Sequence, residues 1–455
     1  MPLKLSIIGT GYVGLVSAAC FAEHGHDVTC VDVDPTKVDA VNAGESFLHE
    51  PDLGELLKKN VPARLRATLD LAAAVRDSEV TIIAVPTPFD MAAGRIDLSF
   101  VLKAAAQIGE VLREKTDFHT VIVKSTCVPG TTDGPVRDAL EAAGATGFGL
   151  ACSPEFLSEG TAVYDFLHAD RLVLGANDER AADVIEQLHA GFEAGVPRLR
   201  VNTRTAEAIK YASNAYLAAC ISFANEVANL CEAVGEIDAN DVMEGVATSR
   251  YLTKNNERAA IASFLRPGCG YGGSCLPKDV AALVAHGERL GQPMPLLSAV
   301  AEVNNGRAGN VRDRLTKELG SLNGKTVAVL GTAFKPGTAD LRLSPAEPIL
   351  RELKSAGAAC VSFDPLANDE TRRLLGGVTT VADSLDAAIS RADAVVIATA
   401  WPDFDELDAM LAAREPAPVV FDGRRMLVPD RFARYVGVGL RREQMQIGIT
   451  EGTGK

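Results

Sequence analysis

The chain has 455 residues, of which 47% are apolar and 23% charged, a balance typical of globular proteins. This composition excludes a disordered, collagenous or coiled-coil protein, and the length predicts about three domains. The 60 acidic residues outnumber the 45 basic ones and give a formal net charge of −15. So acidic a protein is not expected to bind nucleic acid or anionic membranes, and an anionic ligand would need locally gathered basic residues.

The beginning of the chain is apolar, so it could be a signal peptide. Three glycines interrupt it and no polar mature chain follows, which favours a buried strand and helix. No apolar run reaches the roughly 18 residues that a membrane-spanning helix needs. Nine cysteines without paired spacing argue against a disulfide framework. We therefore predict a cytoplasmic protein with no membrane partner and no metal centre.

Short apolar runs alternate with helical stretches up to about Gly195. The predicted strands are Leu5–Ile8, Val28–Val31, Val80–Val85, Thr120–Val123 and Leu172–Leu174. Strand–helix alternation predicts a parallel sheet with helices on both faces.

The pattern changes in the middle of the chain. An alanine-rich, glycine-free stretch from about Arg204 to Val234 predicts one helix that ends at Gly235. At 1.5 Å per residue such a helix is roughly 45 Å long, so we interpret it as a spine joining domains or subunits. Further helical sequence follows to about Asn310.

Alternation of strands and helices restarts at Lys325. The predicted strands are Thr326–Leu330, Cys360–Phe363, Ala394–Thr399 and Val419–Asp422, and the polar tail beyond Gly439 is expected to fray. The fold class is therefore α/β: two Rossmann-like, doubly wound parallel-sheet domains joined by a helical domain with a long central helix. The predicted boundaries are 1–200, 201–315 and 316–455.

The first predicted strand runs into Gly-x-Gly-x-x-Gly, formed by Gly9, Gly11 and Gly14. Gly9 allows a tight turn, Gly11 lets the backbone approach a pyrophosphate, and Gly14 lets the next helix pack closely. Asp32 ends the second strand, where a carboxylate accepts hydrogen bonds from an adenosine ribose and repels a 2′-phosphate. Strand, glycines, helix and Asp32 together predict an NAD site; the alternative is an ordinary tight turn.

A second match to the same glycine pattern begins at Gly268, but no strand precedes it and Pro267 stands directly before it. We interpret it as part of a different loop, GGSCLPKD, which contains Cys275, Lys278 and Asp279. Glycines let a substrate approach the backbone, and a neighbouring cation favours a nucleophilic thiolate. Cys275 could instead be a packing residue, which is our interpretation of the other eight cysteines.

Two further segments carry polar groups. Lys210 and Asn214 share a face of the long helix. They could form an active-site pair, or Lys210 could be a surface residue whose side chain extends its charge into solvent. Glu155 and Glu159 lie four residues apart after a strand, a spacing that also suits a capped helix start. Lys335 and Arg424 in the last α/β domain could neutralise a diphosphate or be solvated surface charges.

Taken together, these motifs resemble those of the UDP-glucose/GDP-mannose dehydrogenase family. GTGYVG, SPEFLSEG, AEAIKYASNAYLA, ISFANEVANLCE and GYGGSCLPKD occur in family order, and the resemblance extends to Asp422-Gly423-Arg424. The resemblance implies that two NAD⁺ oxidise a nucleotide sugar at C6, and UDP-glucose is the leading candidate for that sugar. It also implies that the reaction passes through a thiohemiacetal and a thioester on a cysteine. It also implies at least a homodimer built on the central helix.

The resemblance assigns roles residue by residue. By this resemblance, Cys275 is the nucleophile, and Lys210 and Asn214 stabilise the alkoxide or oxyanion. Asp279 helps to activate the hydrolytic water. Glu155 acts with water in proton transfer, and Thr126 helps to place that water and contacts the cofactor. The NAD contacts, beyond the glycines, are Val13, Asp32, Lys37, Thr126, Glu159, Lys278 and Arg342. The substrate contacts are Glu155, Phe156, Leu157, Lys210, Asn214, Gly268, Gly272, Phe334, Lys335 and Arg424.

One segment departs from the family pattern. Residues 249–265 match the enzymes acting on UDP-glucose poorly, whereas 249–251 and 265–268 are similar to those acting on GDP-mannose. GDP-mannose, UDP-N-acetyl sugars and dTDP-glucose therefore stay open as substrates. Two other classes are weighed: a β-hydroxyacid dehydrogenase, which lacks the cysteine loop and the third domain, and an inactive NAD-binding regulatory protein.

Overall fold

The computed structural model describes residues 1–90, 94–254 and 257–441. The chain divides into two compact units. The first comprises residues 1–214 and 281–293, and the second comprises residues 215–280 and 294–455.

The first unit is an α/β unit. Its strands are β1 (Lys4–Ile8), β2 (Asp27–Val31), β3 (Leu65–Thr68), β4 (Val80–Ile83), β5 (Phe89–Asp90), β6 (Arg95–Ile96), β7 (His119–Val123), β8 (Phe148–Cys152), β9 (Leu172–Ala176) and β10 (Arg198–Val201). Its helices are α1 (Tyr12–Glu23), α2 (Pro35–Asn42), α3 (Leu53–Asn60), α4 (Leu71–Arg76), α5 (Ser99–Leu112), α6 (Arg137–Ala142), α7 (Ala162–Leu167) and α8 (Glu179–Leu188).

The main sheet of this unit has the order β10-β9-β8-β7-β4-β1-β2-β3. From β3 to β8 the order is that of a dinucleotide-binding sheet, and it reverses between β1 and β4. All pairs are parallel except β8 with β9. Leu5 and Ile7 pack with α1, whereas Ile8 packs with α5, because successive side chains of a strand point to opposite faces. Helices therefore cover both faces, as predicted.

Two helices contribute residues to both units: α9 (Thr203–Val234) and, later in the chain, Leu276–Arg289. Helix α9 ends as predicted, with Gly235 at φ +80° and its amide donating to the Cys231 carbonyl at 2.9 Å. Among the described residues it is the one helix whose length and composition would allow it to cross a membrane; 39% of its most apolar window is buried. Its buried Glu207, Lys210 and Asn214 are typical of a core helix instead.

The second unit contains the remaining elements. The second helix shared by both units is α11 (Leu276–Arg289). The other helices are α10 (Ala239–Ala247), α12 (Pro295–Asn305), α13 (Arg307–Leu319), α14 (Ala346–Ser355), α15 (Asn368–Leu375), α16 (Leu385–Ile389) and α17 (Leu407–Leu411). Its strands are β11 (Thr253–Lys254), β12 (Glu257–Arg258), β13 (Thr326–Leu330), β14 (Ala359–Phe363), β15 (Thr380–Val381), β16 (Ala394–Ile397), β17 (Val419–Asp422) and β18 (Tyr435–Gly437).

The main sheet of the second unit has the order β15-β14-β13-β16-β17-β18, with every pair parallel. This order matches that of the first sheet, with its reversal between β13 and β16. The predicted α/β class with two doubly wound sheets and a helical middle region is therefore confirmed. The antiparallel β8–β9 junction was not predicted.

Part of the helical region shares a core with the last sheet inside the second unit. Ala228 and Ala239 cluster with Val329 and Phe421. The Arg425 guanidinium donates to both carboxylate oxygens of Asp238, at 3.0 and 2.7 Å. The predicted boundaries at 200 and 315 stay a prediction, and most of the predicted polar tail, 442–455, lies outside the described residues.

Candidate active site

The three glycines of the N-terminal turn each occupy a different steric setting. Gly9 has φ +97°, and a Cβ built there would lie 2.7 Å from the Ala84 carbonyl oxygen. A Cβ at Gly14 would lie 1.9 Å from the Gly9 carbonyl oxygen, so the turn and α1 tolerate no side chain at this position. A Cβ at Gly11 would meet nothing within 4 Å, which leaves the backbone open to a ligand. Tight turn, close packing and open approach together fit a dinucleotide.

Asp32 lies beside this turn at the end of β2. Its carboxylate accepts hydrogen bonds from the Thr10 amide at 2.9 Å and the Asp34 amide at 3.1 Å, and Lys37 Nζ lies 3.8 Å away. Burial raises the pKa of Asp32, but the Thr10 and Asp34 hydrogen bonds and the Lys37 charge outweigh it, so the pKa lies below its usual value. The group is therefore an ionised acceptor at neutral pH, as a ribose contact requires. Val13 is half-buried in the first turn of α1.

Glu155 and Lys210 form a buried ion pair, with 3.0 Å between Oε1 and Nζ. Each residue is less than 9% exposed, so Lys210 is not an extended surface side chain. The Leu157 amide also donates to Glu155, at 2.6 Å. Burial raises the pKa of Glu155, but Lys210 and this amide hold it below its usual range. The structure thus joins two segments that are 55 positions apart and that the sequence analysis treated separately.

Aromatic and amide groups surround this ion pair. The Phe156 ring has Lys210 Nζ at 5.4 Å and the Arg171 guanidinium at 3.8 Å from its centroid, distances typical of cation–π contacts. Asn214 is buried one turn beyond Lys210. Thr126 is half-buried, and its carbonyl accepts a hydrogen bond from the Thr87 hydroxyl at 2.9 Å.

Sequence reasoning passed over several buried polar residues of the first unit. Lys124, at the end of β7, is 5% exposed, and burial lowers its pKa to about 8. Glu207 accepts hydrogen bonds from the Gly130 amide at 2.6 Å and the Thr132 amide at 2.8 Å, which ties the segment after Thr126 to α9. The position of Lys124 directly after an apolar strand could have indicated a functional residue. No sequence pattern indicates that Glu207 binds the Gly130 and Thr132 amides.

The glycine-rich segment before Cys275 is fixed by packing inside the second unit. A Cβ at Gly272 would lie 2.2 Å from the Leu343 carbonyl oxygen, and one at Gly273, where φ is +83°, 2.8 Å from the Phe334 ring. A Cβ at Gly268 would lie 2.9 Å from the Gly423 carbonyl oxygen. These contacts give the glycines a structural reason, so substrate contacts at Gly268 and Gly272 stay predictions.

Exposure separates Cys275 from the other cysteines. Cys275 is exposed, whereas the other eight, all among the described residues, are buried. Burial raises the pKa of Cys20 and Cys30 to about 12 and that of Cys360 to about 11, which keeps those thiols protonated. Cys275 directly precedes α11, and its carbonyl accepts a hydrogen bond from the Asp279 amide at 2.9 Å. A helix N-terminus stabilises negative charge on such a sulfur.

The two charged residues predicted to act beside Cys275 form an ion pair in the first turn of α11. Lys278 donates to the Asp279 carboxylate, and Asp279 is 1% exposed. The loop therefore holds an exposed thiol, a partly buried ammonium and a buried carboxylate within five residues. This set suits nucleophilic addition followed by attack of water.

The loop after β13 resembles the loop after β1 in its backbone geometry but differs in how the acidic residue beside it is occupied. The Gly331 φ is +82°, and the Thr332 amide donates to Asp364 at 2.7 Å, as the Thr10 amide does to Asp32. Asp364 is fully buried and also accepts hydrogen bonds from the Ala333 amide and the Trp401 indole. A carboxylate so occupied is not available to a ribose; that this sheet binds no second dinucleotide stays a prediction.

Four further predicted ligand contacts lie after residue 330: Arg342 for NAD, and Phe334, Lys335 and Arg424 for the substrate. Phe334 and Lys335 are half-buried after β13, with the ammonium 5.8 Å from the ring centroid. Arg424 follows β17 and donates to the carbonyls of Ala398 at 2.5 Å and Gly270 at 3.3 Å, so it is not simply a solvated charge. Arg342 is exposed and pairs with Asp340. Ligands of doubly wound sheets bind at such strand ends.

The sheet order, the glycine turn and Asp32 define an NAD-binding oxidoreductase fold. Family models match along nearly the whole chain: the NAD binding domain of the UDP-glucose/GDP-mannose dehydrogenase family over residues 3–193, its central domain over 204–306 and its UDP binding domain over 328–429. The chain belongs to the UDP-glucose/GDP-mannose dehydrogenase family. The predicted family and NAD cofactor are thereby confirmed, and the β-hydroxyacid dehydrogenase alternative is set aside.

Individual relatives agree with this assignment. The chain is 42% identical to UDP-glucose 6-dehydrogenase AglM of Haloferax volcanii over 93% of this chain and 97% of that one. It is 39% identical to UDP-glucose 6-dehydrogenase TuaD of Bacillus subtilis over 93% and 89%. A solved UDP-glucose dehydrogenase from Pyrobaculum islandicum superposes with a TM-score of 0.89 at 38% identity, covering 97% of this chain and 98% of that one.

Proposed function

We propose that this enzyme oxidises the C6 alcohol of UDP-glucose to the carboxylate of UDP-glucuronate, with Cys275 as covalent nucleophile. The observation that carries the proposal is the exposure of Cys275 at the start of α11, in contrast to the eight buried cysteines. The relatives named for UDP-glucose support the choice of substrate.

The reaction balances as one alcohol, two NAD⁺ and one water giving one carboxylate, two NADH and three protons. NAD⁺, when bound, accepts one hydride in each oxidation. The Cys275 sulfur adds to the aldehyde carbon to form a thiohemiacetal, whose oxidation gives a thioester. Water then attacks the thioester, which breaks the carbon–sulfur bond and returns the thiolate.

The remaining roles follow from the charges of the residues. Lys210, paired with Glu155, stabilises the negative oxygen that develops at the reacting carbon, and Asn214 donates a hydrogen bond to the same oxygen. Glu155, ionised by its low pKa, accepts a proton through water, where Thr126 helps to place that water. Asp279 orients the hydrolytic water. Lys335 and Arg424 bind the diphosphate of the nucleotide.

A panel of nucleotide sugars tests the substrate. We expect UDP-glucose to give the highest kcat/KM for NADH formation, above GDP-mannose, UDP-N-acetyl sugars and dTDP-glucose. GDP-mannose is the alternative that residues 249–251 and 265–268 favour. A higher kcat/KM with GDP-mannose would overturn the choice of UDP-glucose but leave the proposed chemistry intact.

We also propose that two copies of the chain associate through α9. Tyr216, Phe223, Leu230 and Val234 are 50–63% exposed on this helix, at intervals of seven, seven and four residues that place them on one side. Exposed apolar side chains along one side of a helix are typical of an interface. Sedimentation of the wild type should give twice the mass of one chain, and Phe223→Asp should give the monomer mass; a monomeric wild type would contradict the proposal.

A further inference from the structure

A buried acid outside the predicted site connects two of its segments. Glu50 lies between α2 and α3 and is 8% exposed. Its Oε2 accepts hydrogen bonds from the Tyr12 hydroxyl and, at 2.7 Å, from the Gly160 amide. Its Oε1 accepts one from the Val163 amide at 3.3 Å. The Gly160 amide also points at the Tyr12 oxygen, 2.8 Å away.

The partners of Glu50 flank the predicted NAD contacts. Tyr12 directly follows Gly11 of the dinucleotide turn and begins α1. Gly160, at φ +85°, directly follows Glu159, and Val163 lies in the first turn of α7. One carboxylate therefore holds the dinucleotide turn on one side and the end of the loop 153–160 on the other.

We propose that Glu50 is a positioning residue for NAD: it fixes Glu159 relative to the turn Gly9–Gly14. The inference rests on the proposed contact of Glu159 with the cofactor. Burial and the hydrogen bond to Glu50 raise the pKa of Tyr12, so the phenol stays a donor throughout the working pH range. Glu155, at the other end of the same loop, is held independently by Lys210 and the Leu157 amide. Loss of Glu50 therefore affects cofactor binding more than the chemical step.

Glu50→Gln tests this role because glutamine fills the same volume with only one acceptor oxygen. Its amide nitrogen must face either the Val163 amide or the Gly160–Tyr12 pair, so at least one donor loses its acceptor. We expect KM for NAD⁺, and the NAD⁺ dissociation constant measured by calorimetry, to rise about tenfold, with kcat changed less than about threefold. Amide hydrogen exchange over 158–163 should accelerate.

Glu45→Gln is the matched control, since it removes an exposed acid from the same loop without these partners. It should leave KM, dissociation constant and exchange at wild-type values. The inference is overturned if Glu50→Gln binds NAD⁺ as the wild type does, or if kcat falls as much as affinity. Because binding and exchange are measured without sugar nucleotide, a wrong substrate assignment would not affect these readouts.

Discussion

Cys275→Ala should lower the rate of acid formation by more than about 10³-fold, because the variant lacks the thiol that is proposed to hold the aldehyde carbon as a thiohemiacetal for the second hydride transfer. NAD⁺ should bind to this variant with unchanged affinity, since the glycine turn and Asp32 stay intact. The measurements are uronate formation by chromatography and NAD⁺ binding by calorimetry.

Cys360→Ala is the control for loss of a thiol. Cys360 lies in β14 and is 6% exposed, with its Sγ donating to the Leu350 carbonyl. This variant should keep turnover near the wild-type rate, although the small cavity lowers its stability. Near-normal acid formation by Cys275→Ala would refute the covalent mechanism.

Lys210→Met should lower kcat/KM by about 10²–10³-fold, the usual cost of removing one donor to a developing oxyanion. It should also lower the free energy of unfolding by about 3–5 kcal/mol, because Glu155 is left charged and buried without its partner. Steady-state kinetics and chemical denaturation measure the two effects.

A second substitution separates these effects of Lys210. In Lys210→Met with Glu155→Gln both buried charges are gone, so stability should recover while activity stays low. Arg204→Met, which removes an exposed cation from the same helix, is the control and should change neither quantity much. Recovery of activity in the double variant would contradict both the oxyanion role proposed for Lys210 and the proton-transfer role proposed for Glu155.

The sequence predicted those parts of the fold that depend on local hydrophobic patterns. The central strands are mostly buried and largely apolar, so β1, β2, β7, β13 and β17 were predicted to within one residue. The edge strands β10 and β15 were not among the strands named from the sequence. Three of the four residues of β10 are exposed, and β15 has two residues, so neither carries the hydrophobic pattern of a buried strand.

The candidate site was predicted as single residues but not as contacts. Motifs identified Lys210 and Glu155, yet their ion pair joins α9 to the loop after β8 and depends on tertiary packing. Glu50 escaped notice because its partners, Tyr12 and Gly160, lie 38 and 110 positions away. For the second glycine loop, the sequence favoured a role other than a dinucleotide turn, and the packing of the loop against Leu343 and Phe334 was visible only in the structure.

The central claim is that the enzyme removes four electrons from one carbon through a thioester on Cys275. The most direct test is the amount of NADH formed per UDP-glucose consumed at complete conversion. The account predicts two NADH per sugar nucleotide, with glucuronate as the product. A ratio of one, with a stable C6 aldehyde released, would contradict it.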